Sequence, residues 1–333
     1  MFPASKDEHA WQTVLRGCYS SRMTHIAHRR GFLKAALGTA TALSLSQFVS
    51  APLLAKESKT PLTTMQLSDR LVLISGAGAN VVAMGSPEGA LLVDGGLESR
   101  SAELVKLALK ETGSKKVHTL FNTHWHPEQT GSNERLGKAG ARIIAHENTK
   151  LWLGYANPVP LQDKTWGPLS AKGLPNSTTF DKGSIEFGGE QIEYGYLLQA
   201  HTDGDLYVYF KQSNVIAAGG VVSSDGWPII DYKTGGWITG LVEGLRDLGR
   251  VGDANTRIVP ANGPVITKQE LEEQRAMYQT IAQRLNQLLR KGMGPEEVLA
   301  AAPTKEFDAK WGEPTEFLNL AFRSLWGHAA PDA

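Results

Sequence analysis

The sequence predicts an α/β protein in which β-sheets are covered by helices and a helical segment closes the chain. Three observations carry that reading. Short apolar runs at 66–74, 80–84 and 90–93 are separated by Gly76-Ala77-Gly78 and Ser86-Pro87-Glu88-Gly89, the pattern of an antiparallel meander. Beyond them, strand-like and helix-like stretches alternate, as in sheets with helical cover. Near the end, Thr267-Lys268-Gln269-Glu270 forms a capping box ahead of a long amphipathic stretch.

Each element has its own signal. Leu104, Val105, Leu107 and Ala108 place a helix at 101–111, stopped by Gly113. A strand at 117–121 follows, then a helix at 132–138, a strand at 142–145 and a helix at 147–153. The stretch 155–177 carries Trp166 and four prolines, Pro158, Pro160, Pro168 and Pro175. It is too long for a plain connection and predicts a loop over or beside a site. Strands resume at 178–198, 206–210 and 214–222, and Ser223-Ser224-Asp225-Gly226-Trp227-Pro228 predicts a turn facing the pocket. Ile238, Leu241, Leu245 and Leu248 make one stripe of a helix at 237–248, and 257–260 is the last strand. The capped helix runs over 267–290, burying Leu271, Met277, Ile281, Leu285 and Leu288; Pro295 opens a shorter one to 302. Phe307, Trp311, Phe317, Leu318, Phe322, Leu325 and Trp326 then predict packing against the domain or a partner subunit, which leaves a homo-oligomer open.

Lys+Arg and Asp+Glu both total 34, so the net charge is zero and nothing argues for nucleic acid or an anionic membrane as partner. A small-molecule substrate is the expectation. Cys18 is the only cysteine, so no intrachain disulfide can form. His28-Arg29-Arg30-Gly31-Phe32-Leu33-Lys34 resembles a twin-arginine export signal. The apolar run behind it, 35–49, is too short and too polar for a stable membrane span. Leu53-Leu54-Ala55 offers cleavage before Lys56, and Met23 competes with Met1 as the start. The expectation is a leader over 1–55 and a periplasmic or secreted protein.

The chemistry centres on Asn122-Thr123-His124-Trp125-His126-Pro127-Glu128-Gln129, where the strand at 117–121 runs out. In extended backbone, side chains at i and i+2 point to one side, so His124 and His126 converge and Glu128 keeps their parity. His201, in Ala200-His201-Thr202-Asp203-Gly204-Asp205 between two strands, supplies a third imidazole. Three neutral imidazoles with one open position suit zinc, which lowers a bound water's pKa from 15.7 to about 7. Glu128 would ligate the ion, orient that water or take its proton. Trp125 and Trp227 are candidates for pocket walls; His118 and His146 read as structural.

Asn-Thr-His-Trp-His, with the later His-Thr-x-Gly-Asp, resembles the metallo-β-lactamase fold superfamily over about 66–266. The resemblance implies a four-layer αββα sandwich over 56–266, with 267–333 as a C-terminal helical extension packed on it. It also implies that Asp94, in Val93-Asp94-Gly95-Gly96, braces the metal-bearing loop from beneath. The departures are informative. The family's His-x-His-x-Asp-His ends here in Glu128 and Gln129, its bridging aspartate is replaced by Gly220, and its Pro-Gly-His-Gly reads Pro260-Ala261-Asn262-Gly263. One carboxylate, two amides and a bare glycine are poor support for a second dication, so one zinc is the expectation, with iron as the alternative. Asp203, Asp205 or Asp225 would be the route to a second ion. Gln129 and Asn262 are assigned hydrogen bonds to substrate or a developing oxyanion.

The expected function is an exported hydrolase that attacks an ester, thioester or amide with a metal-bound hydroxide. A mononuclear iron oxidoreductase and a binding protein with a degenerate centre are the alternatives.

Overall fold

Side-chain alternation along the strands decides how this chain is layered. The structure, a computed structural model, describes residues 60–329. The expected leader, its twin-arginine motif and Cys18 lie outside them. Strands β1 (Thr63–Gln66), β2 (Leu71–Ser75), β3 (Val81–Ser86) and β4 (Gly89–Val93) form the antiparallel meander. Strands β5 (Val117–Phe121) and β6 (Arg142–His146) join it in parallel. A two-residue ladder of β7 (Asn157–Pro158) and β8 (Thr165–Trp166) sits within the long loop, and β9 (Ser177–Thr179) completes the seven-stranded sheet beside β6. The second sheet runs β10 (Lys182–Phe187), β11 (Glu190–Tyr196), β12 (Leu206–Phe210), β13 (Val215–Ser223) and β14 (Arg257–Asn262), with only the last pair parallel.

Parallel neighbours need crossovers, and helices supply them. They are α1 (Ser101–Glu111), the single turn α2 (Pro127–Thr130), α3 (Asn133–Lys138), α4 (Glu147–Leu153) and α5 (Ile238–Gly249). The chain then closes with α6 (Lys268–Arg290), α7 (Pro295–Ala300), α8 (Asp308–Trp311) and α9 (Thr315–Ala329).

Leu91 and Val93 of β4 join Phe121, Ile192, Val208, Phe210 and Val259 in a core shared by both sheets. Their neighbours Ala90 and Leu92 share a separate core with Leu104 and Ala108 of α1. In the second sheet Tyr207, Ile216 and Ile258 pack with Leu241 and Leu245 of α5, Ile281 of α6 and Phe322 of α9. Helices, sheet, sheet, helices is the αββα order expected. A one-residue slip in any strand would exchange its two faces between different cores, which fixes the register.

One expectation needs correction. The run 66–74 is not one strand: Leu67 and Ser68 both donate backbone N–H groups to Leu71 O, at 2.8 and 3.2 Å, and this turn separates β1 from β2. The strands expected over 178–198 are the hairpin of β10 and β11, reversed at Gly188 and Gly189, both at positive φ. The capping box of α6 forms as read, with Thr267 Oγ1 accepting from Glu270 N and Glu270 Oε2 accepting from Thr267 N. Packing continues across 266 and 267, because α6 shares one core with α5 and the second sheet. No described helix is long and apolar enough to cross a membrane.

Candidate metal centre

Two loops, one from the end of each sheet, carry the three histidines. The first follows β5, and β4 beside it ends at Asp94, whose φ of 67° puts the carboxylate beneath the loop in a left-handed backbone. Asp94 Oδ1 accepts from Thr123 N at 2.8 Å, and Oδ2 accepts from Thr123 Oγ1 at 2.9 Å. Burial pushes the Asp94 carboxyl up to about 7 against these hydrogen bonds, which favour the anion. Asn122 Nδ2 ties the same loop to Asn133 Oδ1 (3.0 Å) and to Gln129 O (3.1 Å). The second loop, between β11 and β12, is folded around Asp205. Its Oδ2 accepts from His201 N at 2.6 Å and Thr202 N at 2.8 Å, and its Oδ1 accepts from Thr202 Oγ1. Burial raises Asp205 to about 8, again opposed by what it accepts.

These braces bring His124, His126 and His201 together, at 1%, 4% and 5% exposure. His201 Nε2 lies 3.2 Å from His124 Nε2 and 3.2 Å from His126 Nδ1. The other nitrogen of each ring is engaged outside the cluster. His124 Nδ1 donates to Thr123 Oγ1 (3.1 Å), His126 Nε2 to Asp231 Oδ2 (3.1 Å) and His201 Nδ1 to the carbonyl of Ile229 (2.7 Å). That assignment leaves three bare lone pairs aimed at one another, which repel unless a cation lies between them. Burial, then the neighbouring rings, hold His124 well below its ordinary range. Burial and His126 lower His201 to about 3. Both rings are therefore neutral at physiological pH, the form a metal needs. Nitrogens 2.0–2.1 Å from a tetrahedral ion stand about 3.3 Å apart, so the trio fits zinc. The outward bonds set each tautomer and ring angle, as outer partners of metal-bound imidazoles do.

The remaining site residues fall less uniformly. Among the described residues, this is the one group of three or more His, Cys, Asp or Glu side chains that converges to hold an ion. Glu128 is outside it. His124 and His126 lie on a bent stretch after β5 and Pro127 starts α2 directly behind it, so the alternation of an extended chain does not carry on to Glu128. Its Oε1 instead accepts from Gln162 Nε2 at 3.0 Å, on the wall of a cavity of about 320 Å³. Gln129, buried, and Asn262, exposed, line the same cavity. The long loop reaches it through Val159, Pro160 and Gln162, and the turn after β13 through Ser223, Asp225 and Trp227. Trp125 does not line it. That ring is fully buried, with Nε1 donating to Thr234 Oγ1. Asp203 accepts from Trp152 Nε1 and Asp205 braces its own loop, so neither turns toward a second ion. His146 is structural, stacked on Tyr196 at 4.1 Å.

Gly220 explains itself sterically. A Cβ there would fall 2.5 Å from His201 Nε2, while at Gly219, with φ of 57°, one would fall 2.6 Å from Thr123 Oγ1. The histidine ring and the braced threonine occupy the space a side chain would need. Asp231 and the Ile229 carbonyl were not foreseen. Burial works to raise the Asp231 carboxyl, but the hydrogen bonds it accepts from His126 and Thr234 bring it below the ordinary range. Both partners come from an irregular stretch 105 and 28 residues from the rings they meet, and no spacing in the sequence marks them.

The sequence profile of the metallo-beta-lactamase superfamily matches residues 75–291. The metallo-beta-lactamase type 2 of Bacillus cereus is 26% identical over 192 residues, spanning 56% of this chain and 68% of the relative. A metallo-beta-lactamase from Pontibacter korlensis superposes with a TM-score of 0.54 at 18% identity, covering 66% of this chain and 99% of its own. A stereoselective inverting sec-alkylsulfatase from Pseudomonas sp. gives a TM-score of 0.59 at 14% identity, covering 83% of this chain and 51% of its own. The profile takes in well over half of the sequence, including all three converging histidines, and the chain belongs to the metallo-beta-lactamase superfamily.

Proposed function

We propose that this protein is a metal-dependent hydrolase of an ester, thioester or amide, working with one zinc ion held by His124, His126 and His201. The observation that carries the reading is the convergence of three imidazole nitrogens whose opposite ring nitrogens are all anchored. When bound, zinc supplies a Lewis acid that brings a water molecule's pKa close to neutrality. The protein's own groups do the rest. Asp231, Thr123 and the Ile229 carbonyl hold the ring orientations. Gln129 and Asn262 offer amide hydrogen bonds to the substrate from the cavity wall, and Glu128, steadied by Gln162, is placed to take a proton. Gly220, crowded by His201, and Gly219, crowded by Thr123, leave no side chain for a second ion there and support the single-ion reading. The motif at Arg29 and Arg30, which resembles a twin-arginine signal, supports export to the periplasm or outside the cell as part of the same reading.

Metal analysis of the exported protein, together with hydrolysis of an ester, thioester and amide panel, tests this. About one equivalent of zinc and loss of hydrolysis in His201→Ala are expected. Iron with oxygen uptake would replace the hydrolase by an oxidoreductase. Two tightly held equivalents would refute the single ion, and a phenotype unchanged in His124→Ala would leave only a binding role. An alkyl sulfate belongs in the panel because the superposition on the alkylsulfatase takes in more of this chain than that on the Pontibacter enzyme. Changing Arg29 and Arg30 to Lys should strand the precursor in the cytoplasm.

A further inference from the structure

The cavity above the histidines has walls of a definite character. Among the described residues neither lysine nor arginine lines it, whereas two carboxylates do, Glu128 and Asp225. Apolar wall comes from Trp227 and Val222 on one stretch and from Val159 and Pro160 of the long loop on another. Trp227 is the largest of these and is held by the C-terminal helices. Its ring stacks on Phe317 at 4.7 Å and 11°, leans on Trp311 at 5.5 Å, and its Nε1 donates to the Gly312 carbonyl at 3.0 Å. All three partners belong to α8, α9 or the link between them. Phe317 and Trp311 are buried in the core that α6 and α9 share with the second sheet.

A tryptophan held on one face and along its indole edge is a rigid platform. Little rotamer freedom remains to be lost when a ligand packs on it. Such rings favour flat apolar groups and attract cations through the electron-rich face. Asp225, two residues before it in the same turn, adds negative charge at that wall, and an anionic group there would have no basic partner. An ion held by the three histidines would act on the bond being cleaved, whereas a group against Trp227 would meet the tryptophan and Asp225. Resting on the hydrolase reading, we infer that the substrate carries beside its scissile bond a flat apolar group that is uncharged or cationic, and that Trp227, held in place by the C-terminal helices, receives it.

A matched ester series tests this, with one leaving group and acyl parts that are acetyl, phenylacetyl, or phenylacetyl bearing a trimethylammonium or a carboxylate. The zinc-loaded protein should cleave the neutral and cationic aryl esters with a kcat/KM at least about tenfold above that of the anionic one. Asp225→Asn should narrow the cation-to-anion ratio about threefold, and so should raised salt. Trp227→Ala should lower the aryl-to-acetyl ratio about tenfold, mainly through KM, with Trp227→Phe recovering most of it. A preference for the carboxylate, or an aryl-to-acetyl ratio indifferent to Trp227→Ala, would overturn the inference. If no ester, thioester or amide is cleaved, the hydrolase reading fails by itself. Calorimetric titration with phenylpropyl-trimethylammonium, phenylpropanol and phenylpropionate still decides the wall's preference. Tightest binding of the carboxylate there would reject it.

Discussion

The two sides of the cavity are built on opposite terms. On the histidine side every polar group is buried and engaged: Asp94 with Thr123, Asp205 with the backbone of His201, Asp231 with His126. Elsewhere around the cavity Asn262 and Asp225 are exposed and Glu128 and Trp227 are half-buried. The comparison teaches that rigidity here is concentrated where an ion must be held. The opposite side is free to vary with the molecule being recognised. Preorganised ligands lower the cost of binding metal, while an open wall sets which substrates fit.

The largest effect should come from breaking the buried side directly. His201→Ala or His124→Ala should abolish stoichiometric zinc binding, measured by metal analysis after dialysis, and reduce hydrolysis by about 10³-fold or more. Next is a partner behind the ligands. Asp231→Asn keeps the volume but alters what His126 Nε2 meets, and zinc affinity measured by competition with a chelator should weaken about 10- to 100-fold. Gly220→Ala probes the seam between the two sides. Its new methyl group must displace the His201 ring, so zinc affinity should fall about tenfold with the circular dichroism spectrum unchanged. A second equivalent of zinc in Gly220→Asp would contradict the steric account of that glycine. The smallest effect lies far from both sides. Thr267→Ala removes one half of the α6 capping box and should cost about 1 kcal/mol in urea unfolding while leaving zinc affinity untouched.

Sequence legibility divides along the same line. The strands β5 and β12 fall on the residues that apolar runs mark, and the capping box fixes the start of α6, because these signals are local. The three histidines were legible because two lie on one turn of chain and the third sits in a motif of its own. Asp231 was not, since its bond to His126 spans 105 residues and depends on how the stretch after β13 folds back. Trp125 was misplaced for a reason already present in the sequence. Between two histidines that share a direction it has to turn the other way, and it does so into the core. Glu128 shows the converse error, an alternation carried one residue past the proline that starts a helix. The break in the run 66–74 has a local signal, the polar Ser68-Asp69-Arg70 between the exposed β1 and the buried β2, which the apolar reading of the run passes over.

The stacking of Trp227 on Phe317 ties the cavity wall to a segment added long after the histidine loops. His201 precedes Phe317 by more than a hundred residues, so the loops that carry the three imidazoles are synthesised well before the helix that steadies this ring. A polypeptide cut short before α9, by a nonsense codon or a protease, would keep His124, His126 and His201 yet lose the support that fixes Trp227.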